Sequence, residues 1–197
     1  MIKFDSNSEK PIKEIEKLYE TAIKFGQHNP EAFVVSTSMH DKPSARFVNI
    51  KQIDNNQFIF FSNYESRKAK EIENNNNVAG IFYWSSINCQ IRIEGKIIKL
   101  NPEQSDLHFR KRSYEKNIAA ISSNQSKVIN SYEEVKKTYE ENLQKFLNKN
   151  ISRPKNWGGY SLSPNIIEIW IGKENRLNHR KRYTLEKADW KLEILEP

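Results

Sequence analysis

The chain contains a single cysteine, Cys89, in 197 residues. One thiol closes no disulfide within the chain, and no cysteine-based metal site is expected. A cytoplasmic location is therefore the expectation. No stretch reaches the roughly 18 apolar residues of a membrane span. The first nine residues carry charge and lack the apolar centre of a signal peptide, so no membrane partner is expected. Phosphate-binding Walker loops, dinucleotide-binding glycine triads, nucleophile elbows and zinc-helix motifs are all missing. Four histidines (His28, His40, His108, His179) are scattered without metal-ligand spacing, so no metal is expected. Neither an internal repeat nor a low-complexity linker interrupts the chain.

What is present is enough for one core: hydrophobic residues make up 37% and aromatic residues 11%. The formal charge is +7. Such an excess suits nucleic acid, an anionic surface or phosphorylated small molecules, or is spread over a solvated surface. A nucleic-acid groove wants exposed aromatics beside Lys and Arg. Here most aromatics sit inside apolar strand-like runs, so no nucleic-acid partner is expected.

Residues 10 to 25 have helical spacing, with Ile12, Ile15, Leu18, Tyr19, Ala22 and Ile23 on one side, Ser8 as a candidate cap and Pro11 in the first turn. Strands follow at Glu31–Ser38, Ser44–Ile53 and Gln57–Ser62, separated by turns at His40–Pro43 and Asp54–Asn56. Ser66 caps a short helix to about Asn74. Val78–Trp84 and Cys89–Leu100 are further strands. Helices are expected from Asn101 to about Arg112, over 114 to 122, and from Tyr132 to Asn148. Strands return at Gly159–Gly172, Arg180–Leu185 and Trp190–Leu195. The strands before and after the helical stretch must pair to close a core. This predicts one α+β domain over 1–197, a mainly antiparallel β-barrel with peripheral helices. Its parts are an N-terminal helical segment (1–30), first barrel strands (31–100), a helical segment (101–150) and C-terminal strands (157–197).

Cations recur at element ends. Ser66-Arg67-Lys68 opens a helix, where free N–H groups and partial positive charge suit a phosphate. A capped surface helix with solvated bases is the competing reading. Arg46 and Lys51 bracket one strand, yet residues five apart face opposite ways; a common site requires a bulge or a shared edge. Arg110-Lys111-Arg112 ends another helix. Arg176, Asn178 and Arg180 share a face if that segment is extended. Gln90 is a polar residue inside an apolar strand, suited to a heterocycle edge or to a backbone group. Trp170 fits either the core or a ring-stacking position.

From Glu31 to Pro197 these pieces resemble the pyridoxamine 5′-phosphate oxidase family. The resemblance is carried by Ala45-Arg46-Phe47-Val48 with Lys51, Phe61-Ser62-Asn63-Tyr64-Glu65-Ser66-Arg67-Lys68, Phe82-Tyr83-Trp84 and Gln90-Ile91-Arg92-Ile93-Glu94-Gly95. It continues in Ser123-Asn124-Gln125-Ser126, Trp157-Gly158-Gly159-Tyr160, Glu168-Ile169-Trp170 and Arg176-Leu177-Asn178-His179-Arg180. The resemblance implies a split-barrel homodimer with FMN at the subunit interface. It places the flavin on Arg46, Phe47, Val48, Asn49, Ile50, Lys51, Phe61, Ser62, Arg67, Lys68, Gln90, Gln125, Ser126, Trp170 and Arg180. Of these, Arg46 and Lys68 would meet the FMN phosphate and Gln90 the ring edge.

It also implies a phosphorylated substrate on Lys51, His108, Arg112 and Lys116, with Arg176 and Asn178 as the catalytic pair over its ring. The reaction implied is oxidation of pyridoxamine or pyridoxine 5′-phosphate to pyridoxal 5′-phosphate, with O2 as acceptor and H2O2 as product. Three positions depart from the family: His108 stands for tyrosine, Lys116 for serine and Asn178 for histidine. The basic N-terminal arm that often helps cover the substrate is expected to be lacking. The alternatives are a phenazine-biosynthesis-like oxidase acting on another substrate, or a flavin-binding protein with little catalysis.

Overall fold

The computed structural model describes residues 1–197. Ten strands form one sheet: β1 (Lys3–Phe4), β2 (Ala32–Met39), β3 (Lys42–Asn49), β4 (Gln52–Asp54), β5 (Gln57–Asn63), β6 (Asn77–Trp84), β7 (Cys89–Lys99), β8 (Trp157–Ile171), β9 (His179–Glu186) and β10 (Asp189–Leu195). The helices are α1 (Lys10–Lys24), α2 (Arg67–Asn74), α3 (Pro102–Arg110), α4 (Tyr114–Ser122) and α5 (Tyr132–Lys145).

The order β1-β4-β5-β8-β7-β6-β2-β3 puts β3 at one end of the sheet and β4 beside the other. Only Ile50 and Lys51 join those two strands. A flat sheet cannot have its two ends two residues apart, so it curls into a barrel. All pairings are antiparallel except β1 with β4. The long β8 pairs β7 on one side; on the other, its first half pairs β5 and its second half β9. His40-Asp41 and Asn55-Asn56 all adopt positive φ, which two-residue hairpin turns of the tight type demand.

Strand alternation sends Phe33, Val35, Phe58, Phe60, Phe82, Ile91, Ile93, Ile167 and Ile169 inward, each at most 1% exposed. Helix α1 covers one barrel opening with Ile12, Ile15, Tyr19 and Ala22. These belong to a cluster of 25 buried residues reaching from Ile2 to Tyr183.

Three local expectations need correction. The strand expected over Ser44–Ile53 breaks at Ile50-Lys51, because the chain leaves β2 and begins pairing with β5: Ile50 N–H donates to Glu31 O (3.0 Å) and Lys51 N–H to Ile59 O (2.8 Å). The two-residue β1 was not foreseen, since a parallel partner 49 positions away, Lys3 with Gln52, leaves no local signal. Ser8 does not cap α1, whose cap position is Glu9; the Ser8 hydroxyl donates instead to Asp5 O.

Candidate functional site

The start of α2 carries the most unusual charge in the molecule. Lys68 is only 7% exposed and has no carboxylate partner. Its Nζ donates to Ser62 Oγ (2.6 Å), Ser66 Oγ (3.0 Å) and Gln125 Oε1 (2.8 Å). Burial, joined by repulsion from Arg46, brings its ammonium down to about 8. Ser66 occupies the helix cap position without making the capping hydrogen bond. Its hydroxyl is spent on Asn63 O (2.7 Å) and on accepting from Lys68.

Beside Lys68, Glu71 fixes the local cations. It is 2% exposed and accepts from Thr37, from Ser44 (2.7 Å), from Arg46 Nη2 (2.8 Å) and from Arg67 Nε (2.8 Å). Burial alone would raise its carboxyl; these hydrogen bonds outweigh burial and hold it at about 2. Arg46 and Arg67 are thus held by one permanently charged anchor, while Lys68 is left unmatched. Sequence reasoning missed Glu71, although the four-residue spacing from Arg67 is the signature of a helical ion pair.

A cavity of about 470 Å³ opens over this cluster and gathers nine of the expected flavin residues: Arg46, Phe47, Val48, Phe61, Ser62, Arg67, Lys68, Gln125 and Ser126. Two neighbours lie elsewhere. Asn49 is exposed at the end of β3, and Ile50 is fully buried in the core, so its side chain has no surface to offer a ligand.

Gln90, Trp170 and Arg180 form a second group. They are opposite one another across β7, β8 and β9, a single rung of the sheet. Arg180 is held there by Glu168 through Nε (3.0 Å) and Nη2 (2.8 Å). Strand parity puts the rung on the face opposite Arg46, while Phe47 at the sheet edge borders the first cavity from the outer face. Arg46 lies in the row Arg46–Val35–Gly80–Ile93–Ile167, which faces the barrel interior. Gln90, Trp170 and Arg180 lie on the opposite, outer face, next to the row that contains Phe47, Ile81, Arg92 and Glu168. Phe47 and Tyr83 on that face are 72% and 57% exposed.

Phe61 walls a third region, a cavity of about 360 Å³ that includes Lys51 and His108. The His108 ring stacks on Phe61 at 3.6 Å between centroids. Burial first, then the charges of Arg112, Lys51, Lys111 and Lys3, push its imidazole down to about 4, so it is neutral at pH 7. The expected convergence of Lys51 with Arg112 and Lys116 is not seen. The Arg112 guanidinium lies over Trp157 (4.5 Å) and donates to Lys116 O (2.9 Å), lining other cavities. Lys116 is exposed.

Arg176 and Asn178 also depart from expectation. The segment is a tight turn: Asn175 and Arg176 have φ of 54° and 61°. Asn178 N–H donates to Arg176 O (2.8 Å), and Asn178 Oδ1 accepts from Lys173 N–H (3.1 Å). Arg176, Asn178 and Arg180 therefore do not share one extended face; β9 starts only at His179. Arg176 is exposed and Asn178 half-buried.

Comparison with known proteins gives the family. Residues 19–146 match the family described as pyridoxamine 5′-phosphate oxidase. Residues 157–197 match the pyridoxine 5′-phosphate oxidase C-terminal dimerisation region, which makes the functional unit a homodimer. A pyridoxine/pyridoxamine 5′-phosphate oxidase of Rubrobacter xylanophilus is 38% identical over 95% of this chain and 87% of its own length. One from Leptospira biflexa is 40% identical over 91% and 85%. Among solved structures, PhzG from Burkholderia lata, in complex with tetrahydrophenazine-1-carboxylic acid, superposes with a TM-score of 0.90 at 28% identity, covering 98% of this chain and 95% of that one. An FMN-binding protein of Nostoc punctiforme has the same fold, with a TM-score of 0.78 at 14% identity over 96% and 99%. The chain belongs to the pyridoxamine 5′-phosphate oxidase family, whose members are FMN-dependent oxidoreductases of split-barrel fold.

Proposed function

We propose that this chain oxidises pyridoxamine or pyridoxine 5′-phosphate to pyridoxal 5′-phosphate, with O2 as acceptor and H2O2 as product. The observation that carries the reading is Lys68, a buried ammonium with no anion of its own at the floor of a 470 Å³ cavity. A dianionic phosphate is the partner such a group lacks, so the residues present fit FMN. Lys68, Ser62 and Gln125, with Arg46 and Arg67 oriented by Glu71, would hold its phosphate. Gln90, Trp170 and Arg180 of the second copy would meet its ring, since the two sets occupy opposite faces of one sheet. When bound, FMN supplies the two-electron acceptor chemistry that no side chain here provides.

The chain's own residues bind and orient. Lys51, in the cavity beyond Phe61, receives the substrate phosphate. His108, neutral and stacked on Phe61, offers a ring face and a hydrogen bond without adding charge. Arg112 and Lys116 reach that phosphate only after rearrangement of the α3–α4 corner. Arg176 and Asn178, displayed on the turn before β9, approach the substrate ring of the partner's site.

A second reading is oxidation of an unphosphorylated ring compound like the one bound by the Burkholderia protein. The lysine-lined cavity opposes it. The test is anaerobic mixing of the FMN-loaded dimer with each compound, following flavin absorbance. Pyridoxine and pyridoxamine 5′-phosphate bleach it, and unphosphorylated pyridoxine does so far more slowly. Bleaching by tetrahydrophenazine-1-carboxylic acid and by neither phosphorylated vitamer overturns the proposal.

A further inference from the structure

The cavity that holds Lys51 and His108 has two more cations in its wall, Lys3 and Lys111, and no carboxylate. Lys3 arrives there by an unusual route. The segment before α1 docks as β1 against β4, with Lys3 paired to Gln52. Lys3 N–H donates to Lys51 O (3.1 Å) and Asp5 N–H to Ile53 O (3.0 Å). On the other side of the same strand Ile2 is 7% exposed, and its N–H donates to Tyr19 Oη (2.8 Å) on α1. Alternation along these residues buries Ile2 and turns Lys3 to the cavity. The backbone is thus pinned at Ile2, Lys3 and Asp5, and a lysine is displayed beside Lys51.

Three lysines around one cavity repel one another unless an anion joins them. Their field is strong enough to be felt at His108, which they help keep neutral. The usual remedy, a neighbouring Asp or Glu, is missing from the wall. Of the residues expected to share the anion with Lys51, Arg112 donates to Lys116 O at the α3–α4 corner, Lys116 is exposed, and neither lines this cavity. Lys3 does line it, beside Lys51.

We propose that Lys3 is a specificity-determining residue that, together with Lys51, binds the phosphate of the substrate. Lys111, at the end of α3, adds long-range attraction from the far wall. The assignment rests on reading this cavity as the substrate-phosphate site, and it makes β1 a functional element as well as a structural strap.

The test uses the FMN-loaded dimer carrying Lys3→Ala or Lys3→Arg, with Lys13→Ala, an exposed residue of α1, as control. Loss of one charge-assisted phosphate contact raises KM for pyridoxine 5′-phosphate about tenfold. Inhibition by inorganic phosphate weakens in step. The kcat, the FMN dissociation constant and the KM for unphosphorylated pyridoxine stay unchanged. Lys3→Arg retains most of the affinity, and Lys13→Ala behaves as wild type. An unchanged KM in Lys3→Ala, an equal rise for the unphosphorylated compound, or a loss confined to FMN binding overturns the assignment. A wild-type protein indifferent to the substrate's phosphate refutes the proposed function itself. A wild-type preference that survives Lys3→Ala refutes only the role of Lys3.

Discussion

Replacing Lys68 by methionine separates what this residue does for the cofactor from what it costs the fold. Methionine keeps much of the length and apolar stem while deleting the charge. The neighbours are not stranded by the change: Ser66 still donates to Asn63 O and Ser62 to Gln125 Oε1. In the folded apoprotein the ammonium falls from its ordinary 10.5 to about 8, chiefly by burial and then by repulsion from Arg46. The folded value lies below the unfolded one, so the charged form is penalised in the fold. That penalty is complete below about pH 8, fades as the pH climbs from 8 towards 10.5, and is gone above. That fall corresponds to about 3 kcal/mol; allowing for residual solvent at the cavity mouth, about 2 kcal/mol remains. Denaturant titrations of apoprotein at pH 7 and pH 10 measure it. Wild type gains about 1.5 kcal/mol relative to Lys68→Met over that interval, which stops short of 10.5, and other titrating groups cancel in the comparison. With cofactor the sign reverses. Loss of the phosphate contact costs roughly 1.5–3 kcal/mol, a weakening of FMN binding of about 10- to 150-fold. Affinity in wild type also declines above pH 8 as the free amine forms, and below about pH 6 as the phosphate takes up its second proton. Lys70→Met, two residues on and exposed, changes neither quantity. Identical pH slopes for wild type and Lys68→Met, or equal FMN dissociation constants for Lys68→Met and Lys70→Met, would falsify the assignment.

Two further outcomes follow from the same geometry. If each flavin site joins the Lys68 cavity of one copy to the Gln90–Trp170–Arg180 rung of the other, then Lys68→Ala and Arg180→Ala homodimers are both inactive, yet their mixture regains activity. Random exchange makes half the dimers mixed, and each has one intact site of two, so about a quarter of wild-type turnover returns; no recovery after verified exchange places both sets within one copy. Asn178→His restores the family residue on the turn before β9 and raises kcat/KM for pyridoxine 5′-phosphate with FMN affinity unchanged; a fall instead would show that the hydrogen bond from Lys173 N–H to Asn178 Oδ1 matters more than the lost imidazole.

Much of this was legible in the sequence because it depends on near neighbours. Strand alternation placed Gln90 and Arg92 on one face, and the turns at His40-Asp41 and Asn55-Asn56 announced themselves by residue type. The conflict between Arg46 and Lys51 was also visible: five residues along one strand cannot face one site. Its resolution was not, because the break at Ile50-Lys51 comes from a change of partner, β2 before it and β5 after it, and nothing in residues 44 to 53 records that choice. The same holds for Glu71. In sequence it is one acid on a charged eight-residue helix; its burial and low pKa are made by Thr37, Ser44 and Arg46, which are 34, 27 and 25 residues away. Lys3 is the extreme case, a lysine near Met1 whose meaning depends on a parallel pairing with Gln52.

These long-range facts share one physical cause, and it motivates the proposal that each flavin site is built from two copies. Closing the barrel through a two-residue link forces the Arg46 row inward. There Glu71 can neutralise the arginine, while Lys68 can be kept charged only at a cost. The outer face is then left with Phe47, Tyr83 and the Gln90–Trp170–Arg180 rung, a mixture of exposed aromatic and charged groups. One barrel thus carries the proposed phosphate-binding residue Arg46 and the proposed ring-binding rung on opposite faces of its sheet. Under the proposed assignment, the phosphate and the flat ring of one ligand are not both held by a single barrel. In the proposed dimer a second barrel set against the first supplies the rung to the first barrel's cradle, and two-fold symmetry makes that site twice.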